Sequence, residues 1–193
     1  MAGVKIIDQA LNTTGNASLG GDLKVVGTAS GLKQEVIRQS ADSDTAITLT
    51  VQQSGALILL DEDEAYTITL PEITSSDIGT TFTIMETVIS DLLRKIVTAY
   101  DNDYYVGGVS NLFDAAGDTD VQVQFVSAGA TDVTITLGDD NLANAGGGLG
   151  AFVTLTAILT GNTEGGGGAK LVWAVSGTKV AQAITDTGAA FFS

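Results

Sequence analysis

Residues 45–71 read TAITLTVQQSGALILLDEDEAYTITLP. In the first run Ile47, Leu49 and Val51 fall on one side and the threonines on the other, the period of two that a half-buried strand requires. The last run repeats the pattern. Tyr66, Ile68 and Leu70 alternate with Thr67 and Thr69, and Pro71 ends the run because proline has no N–H for the ladder. Between them GALILL, residues 55–60, is continuously apolar, as in a strand buried on both faces. Four acids, Asp61–Glu64, mark the turn that follows.

The same period recurs downstream. GTTFTIM sets Phe82 and Ile84 against Thr81 and Thr83, and KIVTAY adds a second continuously apolar run. DVQVQFV, DVTITL, AFVTLTAIL and KLVWAV follow, the last with Trp173 between Leu171 and Val175. Twenty-four glycines and abundant β-branched residues fit this reading. The spacing predicts an all-β chain of about nine or ten short strands, arranged as a jelly roll or β-sandwich. Only Leu32–Gln39 and Ser90–Lys95 have helical character, and the second is short enough to be a turn.

Charge divides the chain. Residues 1–40 hold four basic and three acidic residues; residues 41–193 hold four basic against twenty acidic ones. The expected organisation is an extended N-terminal arm, 1–40, with one short strand at LKVVG, followed by an acidic β body, 41–193. The whole chain carries a formal charge of −15. A phosphate backbone or an anionic membrane surface repels such a chain, so neither nucleic acid nor membrane is an expected partner. No apolar run reaches the roughly 18 residues of a membrane span. MAGVKIIDQALNTTG has no long apolar stretch after its lysine, so no secretory leader is expected.

The chain has no cysteine and no histidine. That removes thiolate chemistry, the commonest general base and the commonest transition-metal ligand. The glycines of NTEGGGG (162–168) precede a strand, whereas a phosphate-cradling loop precedes a helix. Acidic turns are the remaining candidates for a site. Asp101 and Asp103, in DND, are the nearest fragment of a calcium loop, but the spaced acids and distal glutamate are missing. With no nucleophile motif either, the chain is expected to be no enzyme and to need no cofactor. Trp173 and the tyrosines Tyr100, Tyr104 and Tyr105 are expected to pack rather than bind. GAAFFS, at the end of the sequence, places Phe191 and Phe192 where burial against a neighbour would contribute about 3–6 kcal/mol. Together with Leu23, Val25 and Val26 of the arm, they are the expected subunit contacts.

The order of these segments, from TAITLTVQQSGALILLDEDEAYTITLP through IGTTFTIMETV and KIVTAYDNDYYVGGV to AKLVWAVSGT, resembles the β-rich structural proteins of tailed bacteriophages. The likeness is to capsid decoration (cement) proteins and related fibre domains. NASLGGDLKVVGTASG also resembles the short elements of trimeric phage fibres. The resemblance implies a trimeric subunit on the exterior of a virion, clamping the major capsid protein through its arm. Two other readings compete. One is a tail or fibre component that reads a host glycan through Tyr104 and Tyr105. The other is a carboxylate-based glycan hydrolase.

Overall fold

A computed structural model of the chain describes residues 34–38, 46–90, 92–99, 104–113, 122–125, 133–137, 148–161 and 168–181. They belong to one compact unit that begins at Gln34. Among them are eleven strands, one 3-10 turn (Val51–Gln53) and no α-helix. The strands are β1 Val36–Arg38, β2 Ala46–Thr48, β3 Leu57–Leu60, β4 Tyr66–Leu70, β5 Thr81–Glu86 and β6 Arg94–Thr98. β7 Tyr104–Phe113, β8 Gln122–Phe125, β9 Thr134–Thr136, β10 Phe152–Leu159 and β11 Leu171–Ala181 complete them. The chain is thus mostly β, in two mixed sheets. Sheet A has the order β1-β3-β5-β10-β11-β7-β8, and sheet B the order β2-β4-β6-β9.

The first six strands wind as a coil. Odd strands enter sheet A and even strands sheet B, and each pairs in parallel with the strand two before it. Val36 pairs with Leu57 and Ala46 with Thr67, both 21 residues on. Parallel neighbours need a crossover, and here the crossover is a strand of the opposite sheet rather than a helix. Local chemistry closes each bend. The Gln53 side chain accepts from the Thr50 amide at 2.9 Å and Gly55 takes φ 89°, turning β2 into β3. Farther on, Asp77 accepts from the amide and the hydroxyl of Thr74, at 2.8 and 2.5 Å, before Gly79 (φ 94°) leads into β5. The second half is joined differently. β10 and β11 form an antiparallel hairpin with eight residue pairs, and β10 docks antiparallel on β5.

Among the described side chains, alternation places one side of the strands of both sheets in a shared core. Ile58, Leu60, Phe82, Ile84, Leu155 and Trp173 from sheet A meet Ile68, Leu70, Ile96 and Ile135 from sheet B in a single cluster. Fully burying each such side chain contributes about 1.5–3 kcal/mol. The Phe82 and Trp173 rings lie 5.9 Å apart. The Tyr105 hydroxyl donates to the Ile96 carbonyl at 3.1 Å, linking β7 of one sheet to β6 of the other. β3 is buried on both faces, as GALILL predicts, whereas β6 is buried on one face only.

Three sequence expectations change. The helical stretch 32–39 contains β1 instead, because parallel pairing with β3 outweighs local propensity. Those strand residues lie within the span read as the arm, yet they pair with the body. The stretch 90–95 is no helix either: it leads through a bend into β6. And YYVGGVSNLF, not among the runs expected to be strands, is the ten-residue strand β7. Its Gly107 (φ 111°) passes so close to Val175 that an added Cβ would meet the Val175 oxygen at 2.3 Å.

Candidate functional site: a buried arginine latch

Arg94 opens β6 on the core side, one step before Ile96, at the end of the core where β3 turns into β4. It is 1 % exposed, and so is Glu86 at the end of β5. The guanidinium is surrounded by acceptors. Nη1 donates to Glu86 Oε2, Nη2 to the Glu62 carbonyl, and Nε to the Glu64 carbonyl at 3.0 Å. The Tyr66 ring lies beneath it at 5.2 Å, and the Tyr66 hydroxyl donates to the same Glu62 carbonyl at 3.3 Å. A single cation thus gathers the turn 61–65, the end of β5 and the start of β6. Only arginine presents donors in this fork.

The acidic turn DEDE therefore acts here through its backbone. Asp63 and Glu64 are exposed, and Glu62 is half-buried. Asp61 pairs with Arg38 at 2.7 Å, tying β1 to the turn. Asp61 Oδ1 and Glu86 Oε1 are buried without a hydrogen-bond partner. Burial outweighs the Arg94 charge at Glu86 and pushes its carboxyl up to about 7. Such a value suits proton transfer near neutral pH, but the carboxyl is sealed inside the core and no substrate can reach it. Its chemistry is that of a structural ion pair.

Other candidates are engaged as well. Tyr105 is core, and burial raises its phenol above the ordinary range. Tyr104 is half-buried, with the Lys170 ammonium 5.4 Å from its ring centre, so one face of the ring already holds a cation. An open depression of about 280 Å³ lies beside the latch, lined by Ala65, Tyr66, Thr67, Leu93 and Lys95. That is at the bottom of the range for small-molecule sites, and its one charged group is Lys95. Among the described residues no three acids converge to hold a metal ion. Asp101 and Asp103 lie outside the described residues, as do Leu23, Val25, Val26, Phe191 and Phe192.

The acids have a second order. Glu86 is the one acidic residue in any described strand; the others described lie in turns and connections. Among the described residues, no strand therefore presents a carboxylate on an outward sheet face. The sequence reading missed Arg94 and Glu86. Alternation carried the signal, since Arg94 shares the parity of Ile96 and a lone arginine on a core face needs partners. No protein-family model matches the chain, and no curated protein sequence matches it.

Proposed function

We propose that this chain is a structural building block that acts by assembling with other subunits, as a virion protein of the phage decoration type that binds the exterior of a mature capsid. The observation that carries the reading is where its charge lies. The buried cation and its carboxylate are spent on holding the β coil together. The remaining described acids sit on turns and connections, so that no described strand presents a carboxylate on an outward sheet face. A rigid, latched body with acid-rich ends suits a particle surface, where like-charged subunits must stay soluble until docked. Repeated over a symmetric lattice, modest contacts add through avidity, and binding only the mature shell stabilises that shell by mass action. The segment order that resembles decoration and fibre proteins supports the same reading.

Within this proposal the body is a two-layer β-sandwich rather than a jelly roll. A jelly roll is built from two antiparallel Greek keys, whereas the first six strands here form parallel ladders within each of two sheets that share one core. Residues 1–40 are proposed to contact the major capsid protein, and the copies to assemble as trimers.

Tracing this chain in electron cryomicroscopy density of its source particle tests the reading. The expected position is the outer shell, with residues 1–40 running between capsid subunits. A position on the tail replaces the clamp with an appendage role. Absence from the particle removes the virion reading altogether.

A further inference from the structure

We propose that the latch is a proton-operated release: Arg94 holds the turn 61–65 shut while the Glu86 carboxyl is neutral, and the turn opens locally when that carboxyl ionises. The argument starts from how the turn is fastened. It lies between β3 and β4 and belongs to no ladder. Among the described residues its internal backbone bond runs from the Glu64 N–H to the Glu62 carbonyl, at 3.0 Å. Side chains do the rest. Two Arg94 donors go to turn carbonyls and one to Glu86. The guanidinium thus joins the turn to the carboxyl, and a change at the carboxyl reaches the turn through one group. Two weaker ties remain. The Tyr66 hydroxyl reaches the Glu62 carbonyl at 3.3 Å, and Asp61 pairs with Arg38, whose side chain is 65 % exposed. A pair so exposed contributes little. Asp63, Glu64 and Ala65 already face solvent, so opening uncovers little further surface there.

The carboxyl is incompletely satisfied when charged. Arg94 bonds Oε2, while Oε1 is buried with no donor. Register shows what surrounds it. Glu86 pairs with Leu60, and the ladders through Met85–Phe152 and Phe152–Thr178 continue one step to Ala151 and Lys179. Leu60 and Ala151, on either side, are buried and apolar. Lys179 of β11 stands one strand beyond Ala151, about 10 Å from Glu86 by strand spacing. Tyr66 of β4 stacks on the guanidinium, and the turn brings Asp61, Glu62, Asp63 and Glu64, all half-buried or exposed. Arg94 of β6 is the charge that lowers the carboxyl, and burial, the larger effect, raises it to about 7. A buried charge with one unpaired oxygen is costlier than the neutral acid. Opening the turn admits water, which supplies the missing donor and solvates the charge. The open carboxyl returns towards 4.5, so opening releases a proton between those values and becomes easier as pH rises. Ala65 and Tyr66 also line the depression of about 280 Å³. Release of the turn reshapes it, which gives the switch an outward effect.

The device stands apart from the assembly reading and is measured with the purified full-length chain. Amide hydrogen exchange is followed from about pH 4.5 to 8.5, each rate divided by the intrinsic rate at that pH. The opening constant of the turn is expected to rise about tenfold per pH unit between about 5 and 7 and to level off above. Opening constants in β10 and β11 are expected to be about 100-fold smaller or less, because only global unfolding exposes those strands. Glu86→Gln, neutral at every pH, is expected to hold the turn at the low-pH opening of the wild type. Asp61→Asn is expected to keep the slope, which separates Glu86 from the other carboxylate of the latch. A pH-independent turn in the wild type overturns the proposal, whether or not the variants fold. So does a slope that survives in folded Glu86→Gln or disappears in folded Asp61→Asn. Equal opening constants in the turn and in β10–β11 overturn it too, since the turn would then open only with the whole fold.

Discussion

The coil of β1–β6 and the hairpin of β10–β11 solve the same problem in opposite ways. In the hairpin, neighbours in space are neighbours in sequence, and eight pairs form around one connection. In the coil, neighbours in space lie 21 to 28 residues apart, as Val36–Leu57 and Tyr66–Arg94 show. Every turn of the coil crosses from one sheet to the other, and a crossing takes the backbone out of its ladder. At residues 61–65 the carbonyls of Glu62 and Glu64 are satisfied by Arg94. The hairpin holds itself through its ladder; the coil needs a side chain to fasten it.

Arg94→Ala breaks that comparison most directly. It leaves the Glu86 carboxyl buried alone and strips two carbonyls of their donor. The expected loss is about 3–5 kcal/mol in urea unfolding. Trp173→Ala, in the hairpin, should cost a similar 3–5 kcal/mol through the cavity it leaves. Amide hydrogen exchange separates the two. Arg94→Ala is expected to speed exchange in β3–β6 while β10 and β11 stay protected; Trp173→Ala should expose both sheets. Uniform loss of protection in both variants would mean that the coil and hairpin are one cooperative unit. Arg94→Lys should not rescue, since an ammonium cannot reach three acceptors in the same plane.

Gly107→Ala probes the joint between the halves, where β7 runs parallel to β11. The new Cβ would meet the Val175 carbonyl, and φ of 111° is strained for alanine. Roughly 3 kcal/mol is expected from the strain and the clash together. Gly79→Ala shares the positive φ but has open space around it, so it should cost only about 1 kcal/mol. Equal losses at the two glycines would show that close backbone approach contributes nothing.

The latch also gives the coil a pH dependence that the hairpin lacks. Glu86 has its carboxyl raised from 4.5 to about 7, chiefly by burial. The folded state therefore favours its protonated form, and this stabilisation is complete below about pH 4.5 and lost as pH rises through 7. At about 1.4 kcal/mol per pH unit the span is on the order of 3 kcal/mol. Relative to Glu86→Gln, the wild type should gain stability as pH falls from 7.5 to 5. Loss of stability over that range would mean that attraction to Arg94 outweighs burial.

These differences explain what could be read from the sequence. Alternation identified the strands that line the core, including Tyr66, Phe82, Leu155 and Trp173, because period two depends only on which face is buried. It could not say which strand pairs with which, since a parallel coil and an antiparallel meander present the same faces. β7 escaped because Gly107 and Gly108 interrupt the apolar pattern, and they do so where Gly107 lets the Val175 backbone close in. Arg94 escaped because its partners are mainly carbonyls of a turn 30 residues away, and the four acidic side chains there drew attention to carboxylates rather than to the backbone beneath them.

The smallest test asks whether the outer face contributes to the stability of a single copy. Thr83 and Thr154 face each other across β5 and β10 with hydroxyl oxygens 3.3 Å apart. Valine keeps the β-branched shape and removes the hydroxyl, so Thr83→Val with Thr154→Val should leave the stability of a dilute sample within about 0.5 kcal/mol of the wild type. A core position such as Ile84, on the opposite face of β5, has no such tolerance. If the double valine variant instead unfolds early in dilute solution, the threonine pair is structural. If its stability holds while sedimentation changes, these residues act between copies, and the two faces of one strand have separate tasks.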